Sequence, residues 1–232
     1  WREFYRCDLN NFDAAVMQPV HDSLIAQGID GETYIREEFD WIRSAVAGND
    51  RGAYLGLERK GRSFALQRQQ RELLLSGLEA WEKKMKDVGV IDVLGLVAAL
   101  QPYVEQIEPV FRSILVDESQ DFGTSELEII RRLVAPNTND LFLCGDAAQR
   151  VSSRYQKYRE AGIEIPGARS RHLYKNYRNS KEILTAAYEV LQRHINEFHM
   201  DSDEFEVLDP LFADFSGPAP LLLNATDYEN EI

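Results

Sequence analysis

Arg112-Ser113-Ile114-Leu115-Val116-Asp117-Glu118-Ser119-Gln120-Asp121 is an apolar run that ends abruptly in two adjacent carboxylates. Residues 113–116 have the length and composition of a short buried strand, which puts Asp117 and Glu118 at its C-terminal tip. Such a pair suits Mg²⁺ held against a phosphate chain: one carboxylate binds metal, and the other orients or deprotonates a water. The chain contains no GxxxxGK[ST], the loop that would cradle the phosphates. On its residues alone it carries half of an ATP site.

Outward from that strand the texture is strand, helix, strand, helix. Ser125-Glu126-Leu127-Glu128 reads as a capping box opening a helix through Val134, which Pro136 and the polar turn 137–140 end. Leu141–Cys144 is a second short apolar strand running into Gly145-Asp146, and Cys144 within it is expected to be a buried, reduced thiol. A strand at His172–Tyr174 and a helix from about Ser180, capped by Asn179, are expected next, and Leu221–Leu223 begins another strand. This order implies a parallel sheet with crossover helices, with sites at the carboxyl ends of the strands, where Asp117, Glu118 and Asp146 all fall.

The first hundred residues read as mostly helical. Ile35, Phe39, Ile42 and Val46 form one helical stripe, expected to stop at Gly48, and Leu74, Leu78, Trp81 and Met85 form a second. Ile91–Leu100, closed by Pro102, is a third helix. These stripes are expected to pack on each other.

The net charge of −13 argues against a uniformly basic surface. The average conceals two basic stretches: Arg150–Lys181 holds nine Lys/Arg against two Asp/Glu, and Arg51–Lys86 nine against four. From Asp201 onward there are nine acidic residues and no Lys or Arg. Basic stretches of this kind could meet phosphates. Cys7 and Cys144 show no CxxC spacing, and no apolar run approaches the roughly 18 residues needed to span a membrane, so a cytoplasmic location is expected. The chain opens on Trp1 rather than Met and is expected to be an interior piece of something longer.

Three clusters stand in order: Val116-Asp117-Glu118-Ser119-Gln120-Asp121, then Gly145-Asp146-Ala147-Ala148-Gln149, then Asn176-Tyr177-Arg178-Asn179. Together they resemble motifs II, III and IV of the UvrD/Rep group of superfamily 1 DNA helicases. Arg59-Lys60-Gly61-Arg62 through Arg71 looks like a further signature of some members. The resemblance implies an α/β fold: a partial RecA-like parallel sheet of the P-loop NTPase kind, preceded by a mainly helical insertion. The divisions it suggests are a helical 1B-like region at 1–100, the later part of the first RecA-like lobe at 101–168, and the start of the second at 169–232.

The same resemblance implies roles. Asp117 would hold Mg²⁺ and Glu118 would polarise the water attacking the γ-phosphate. Gln149 would sense that phosphate, Gln120 and Asp146 would contact the nucleotide, Gln120 and Asp121 would link motifs II and III, and Arg178 would act as an arginine finger. ATP and Mg²⁺ are the implied cofactors. The implied partner is DNA at a single-strand/duplex junction, unwound 3′ to 5′. Relatives stack bases on aromatics after motif III; here Ser152 stands where a Tyr is expected, leaving Tyr155 or Tyr158, with Arg150, Arg154 and Lys157, as candidates for nucleic-acid contact. The motifs with the phosphate loop and the second arginine are absent, so this stretch alone is expected to be inactive. Two other readings remain: a module that binds nucleic acid or protein without hydrolysing ATP, and a metal-dependent nuclease using Asp117, Glu118 and Asp146.

Overall fold

The computed structural model describes residues 14–59, 62, 64–150, 152–194 and 213–221. Cys7, Gly61, Val151, Leu222, Leu223 and most of the acidic segment after Met200 lie outside the described residues. The chain divides into two compact units, one ending at Ile165 and one beginning at Pro166.

Within the first unit, α1 (Ala14–Ile25), α2 (Gly31–Ala45) and α3 (Arg68–Asp87) pack together. α2 starts where Asp30 accepts the Glu32 N–H, leaving an extended residue before the first turn. It ends at Ala45, before the expected stop at Gly48, because Val46 turns extended. The two expected stripes are buried: Ile35, Phe39, Ile42 and Val46 from one segment, and Leu74, Leu78, Trp81 and Met85 from the other. Each such side chain contributes about 1.5–3 kcal/mol by leaving water. Gly77 lets α3 approach α1 closely, since a Cβ there would press on the Met17 side chain, 3.3 Å from its Cγ.

Polar groups are buried in the same core. Glu38, in mid-α2, is fully enclosed and accepts from Tyr54 Oη (2.6 Å), Arg59 Nε (2.6 Å) and Nη2 (2.6 Å), and Arg62 Nε (2.9 Å). Burial alone would raise the Glu38 pKa, but the Arg59 and Arg62 guanidiniums hold it below the ordinary glutamate range. Arg71 donates to the carbonyls of Tyr54 (3.2 Å) and Leu57 (2.8 Å). Arg51 reaches the Val46 carbonyl (2.6 Å) and Glu82 (3.0 Å). Four arginines of the first basic stretch are therefore spent inside the fold rather than offered to phosphates.

The third helix, α4 (Val93–Leu100), begins two residues later than Ile91 because Asp92 caps it, accepting the Gly95 N–H at 2.7 Å. The same Asp92 pairs through both oxygens with buried Arg43 of α2. α5 (Thr124–Arg132) packs against α2 and α4, so the helical region and the strands form one unit.

Two short strands, β1 (Ile114–Val116) and β2 (Leu141–Leu143), pair in parallel with Ile114 opposite Leu141 and Val116 opposite Leu143. The α5 crossover between them is what parallel pairing requires. The chain is thus a mixed α/β fold with a small parallel sheet. Leu141 and Leu143 pack with Leu127, Ala161 and Ile163, whereas Leu115 and Phe142 point the other way and are exposed. Cys144 continues the outward alternation and is exposed, not buried as the apolar run suggested. The helix after β1 is capped differently from the expectation: Gly123 is its N-cap and donates its N–H to Glu126 at 2.6 Å. A Cβ at Gly123 would lie 2.5 Å from Ser44 Cβ, so only glycine fits there. Ser125 instead donates to the Ser44 carbonyl at 3.2 Å.

In the second unit, residues 172–174 form no strand, and Asn176 makes only an isolated bridge with Ala213. Helix α6 (Lys181–His194) is capped by Ser180, whose Oγ accepts the Ile183 N–H at 3.4 Å, rather than by Asn179. Residues 213–217 pack on its start: Lys175 pairs with Asp214 (2.7 Å), and Gly217 donates to Glu182 (2.7 Å).

Candidate active site

Just past β1 and β2 the backbone brings the first two clusters together. Cys144 donates its N–H to the Val116 carbonyl, and Ser119 donates its N–H to the Cys144 carbonyl, both at 2.9 Å. These bonds extend the parallel pairing beyond the strands and bend the chain into the turn Ser119–Asp121. Asp117 and Glu118 are both exposed at the tip.

Asp117 Oδ1 accepts from Cys144 Sγ and from the Glu118 N–H, each at 2.9 Å. The Cys144 contact first, then the Glu118 amide, lowers the Asp117 pKa and keeps it ionised; the same contact pushes the Cys144 thiol up. Glu118 sits in the left-handed region at φ 50°, ψ 44°. For a residue with a Cβ this is a strained backbone, held only where the surroundings over-determine it.

Gln120 joins the clusters. It is buried, with its Nε2 donating to Glu118 Oε2 at 2.7 Å and its Oε1 accepting the Asp146 N–H at 3.0 Å. Gln149 Nε2 donates to Asp146 Oδ2 at 2.8 Å. The approach is tight at Gly145, where a Cβ would lie 2.7 Å from Ser119 Oγ and 3.1 Å from Ser119 N. Glycine at 145 is therefore demanded by the packing of one site loop on the other.

Asp117, Glu118, Gln120, Asp146 and Gln149 thus form one hydrogen-bonded constellation in the first unit. Among the described residues no group of three or more His, Cys, Asp or Glu side chains could hold a metal by itself. A single ionised carboxylate nonetheless fits Mg²⁺, which keeps several waters and takes substrate phosphate oxygens as ligands. Arg178, in the second unit, is exposed just before α6, where Asn176 Oδ1 accepts the backbone N–H groups of Arg178 and Asn179, both at 2.9 Å.

Residues 54–167 match the UvrD/REP helicase N-terminal domain. Among curated proteins, the chain is 27% identical over 133 residues to the ATP-dependent DNA helicase UvrD1 of Mycobacterium tuberculosis (strain ATCC 25618 / H37Rv), covering 50% of this chain and 17% of that protein. To the ATP-dependent DNA helicase UvrD1 of Mycobacterium leprae (strain TN) it is 29% identical over 116 residues, 44% of this chain and 15% of that protein. Over residues 54–167 the chain is UvrD-like.

The family match takes in Arg59–Arg71 as well as both loops of the constellation. Whereas Arg68 is exposed beside Glu72, Arg59 and Arg62 of that signature lie on buried Glu38 and Arg71 on backbone carbonyls, at some remove in the sequence from the strand tips. Their task is to hold the helical core.

The residues expected to touch nucleic acid are differently engaged. Tyr155 is 7% exposed, edge-on to Trp41 with ring centroids 5.3 Å apart, and its N–H donates to Ser44 Oγ at 2.9 Å. Lys157 Nζ lies 5.6 Å from the Tyr155 ring and 3.3 Å from Glu160. Arg154 donates to Glu126 (2.5 Å) and to the Asp121 carbonyl (3.1 Å), and Arg150 reaches the Arg154 carbonyl. Segment 152–158 therefore runs along the back of the site turn. In the sequence its one signal is the Ser152 that stands where a Tyr is expected.

Proposed function

We propose that this chain is the part of an ATP-dependent DNA helicase that carries the water-activating side of the ATPase site, within a RecA-like lobe preceded by a helical insertion. The observation that supports the reading most is Gln120, which ties Glu118 of one strand tip to Asp146 of the other. A general base, a phosphate-facing carboxylate and a sensor in one rigid network are what γ-phosphate hydrolysis needs from this side of the nucleotide.

In this reading Asp117, kept ionised by its hydrogen bonds, faces the metal. Bound Mg²⁺ would supply charge neutralisation on the β- and γ-phosphate oxygens. Glu118, with one oxygen held by Gln120, takes a proton from the attacking water through the other. Gln149, tied to Asp146, responds to the γ-phosphate. DNA is the substrate moved, and Arg150 and Lys157 are the basic side chains of segment 150–157 best able to reach it by changing partners. Arg154 and Tyr155 serve packing.

The 232 residues alone hold no phosphate-cradling loop, so they hydrolyse ATP negligibly. Purified chain with ATP, Mg²⁺ and single-stranded DNA should release phosphate no faster than its Glu118→Gln variant. Mg²⁺-dependent, DNA-stimulated hydrolysis lost in Glu118→Gln would sink the claim of inactivity. Mg²⁺-dependent DNA nicking abolished by Asp117→Ala would replace the reading with a nuclease.

A further inference from the structure

The Glu118 backbone is strained, at φ 50° and ψ 44°, and the turn that follows it is held from a distant segment as well as by its neighbours. Ser119 follows it, and Ser119 has two backbone groups to satisfy. Its N–H is fixed by the Cys144 carbonyl, from the end of β2. Its carbonyl accepts the Phe122 N–H of the turn itself at 3.3 Å and, more closely, a side chain more than thirty residues away: Gln156 Nε2 donates to Ser119 O at 2.6 Å and to Phe122 O at 2.9 Å. These two carbonyls bracket the turn Ser119–Asp121, and the third within it, Asp121 O, is taken by Arg154 at 3.1 Å. Tyr158 Oη lies 3.3 Å from Ser119 Oγ. The segment is itself anchored: Thr124 donates its N–H to Tyr155 O at 2.9 Å, and Lys157 donates its N–H to Thr124 Oγ1 at 2.8 Å.

One amide group, then, locks both ends of the turn that carries Gln120, and Gln120 is what orients the Glu118 carboxylate. A primary amide has two N–H donors on one nitrogen, which suits it to bridging two carbonyls. We infer that Gln156 is a positioning residue for Glu118: it fixes the turn, the turn fixes Gln120, and Gln120 aims the carboxylate at the water. The inference rests on the reading of Glu118 as the group that activates water. It gives segment 154–158 a task at the nucleotide side of the protein, where its sequence had suggested contact with DNA.

Gln156→Met and Gln156→Glu both keep the length of the side chain and remove the donors; using two guards against one failing to fold. Two measurements separate the steps. In the 232-residue chain, hydrogen exchange of the amides at 118–122 should quicken at least about tenfold in both variants, while amides of α2 and α3 keep their rates. In the full-length protein, kcat for ATP should fall about tenfold or more with KM for ATP changed less than about twofold, the pattern of a group acting only on the reacting geometry. Unchanged exchange at 118–122 overturns the hold on the turn, whether or not ATP is hydrolysed. Faster exchange with unchanged kcat in an active protein overturns the link to Glu118. Faster exchange with a wild-type protein that hydrolyses no ATP overturns the reading of the site itself and leaves only the hold on the turn standing.

Discussion

Glu38→Ala should be among the most damaging single substitutions in the helical core. The carboxylate is fully buried and receives hydrogen bonds from Tyr54, Arg59 and Arg62, whose arginine side chains are 4% and 6% exposed. Removing it leaves buried Arg59 with the Phe64 carbonyl and the Tyr34 hydroxyl but no counter-ion among the described residues, and Arg62 with Glu37 at 2.6 Å. Truncating one partner of a buried pair costs about 3–5 kcal/mol, because the remaining charge is left uncompensated away from water. For a urea slope of about 2 kcal/mol per M, the midpoint should fall by roughly 1.5–2.5 M. Urea unfolding followed by fluorescence reads this well, since Trp41 and Trp81 are both buried in the same core. Arg68→Ala is the control: its 3.0 Å pair with Glu72 is largely exposed, and its loss should leave the midpoint where it is. A Glu38→Ala midpoint within about 0.3 M of wild type, the size of an ordinary surface substitution, would refute the reasoning.

Other expectations follow from the same contacts. Glu38 has a folded pKa below its unfolded one, so its contribution is present above the ordinary glutamate range and is lost as pH falls through that range toward the folded value. Glu38→Gln should flatten the acid limb of a stability–pH curve measured by urea midpoints, and an unchanged limb would count against the pairing. Tyr155→Ala should destabilise by about 3–5 kcal/mol, as large aromatic truncations in cores do, and Tyr155→Phe by far less. If Tyr155→Ala instead keeps the urea midpoint and weakens only single-stranded DNA binding by anisotropy, the ring is a base platform after all. Gly145→Ala forces a Cβ against Ser119 Oγ at 2.7 Å, and overpacking of this sort costs about 1–3 kcal/mol. Its signature in amide exchange should be confined to 117–122 and 144–149.

Much of the fold could be read in the chain because it is written in periods. The stripes of α2 and α3 have the helical repeat, and β1 and β2 are short apolar runs that stop at carboxylates. The position of Asp117 and Glu118 was legible for the same reason: a strand end places its residues without help from tertiary detail. What escaped depends on partners distant in sequence. Glu38 looks like a solvated charge next to Glu37, yet it stands four residues after Tyr34 and four before Ile42, on the buried side of α2. That spacing was the available sign that it is buried, and the arginine signature downstream was the sign of what pairs with it. Cys144 was misread because a run of apolar residues does not reveal that one face of its strand is open; alternation from exposed Phe142 would have predicted it. The cap of α5 moved from Ser125 to Gly123 because Ser44, some eighty residues earlier, lies against it. The packing of Arg154–Tyr158 behind the site turn has one local signal, the Ser152 that stands where a Tyr is expected.

The central claim is that Glu118 is held ready to activate water against a nucleotide. Its most direct test is Mg²⁺-dependent ATP turnover, with and without single-stranded DNA, by the full-length protein that carries this chain, wild type against Glu118→Gln. The account predicts DNA-stimulated turnover that falls by about 10²-fold or more in the variant, the scale of losing a general base, with ATP still bound. Equal turnover in the two proteins would contradict it.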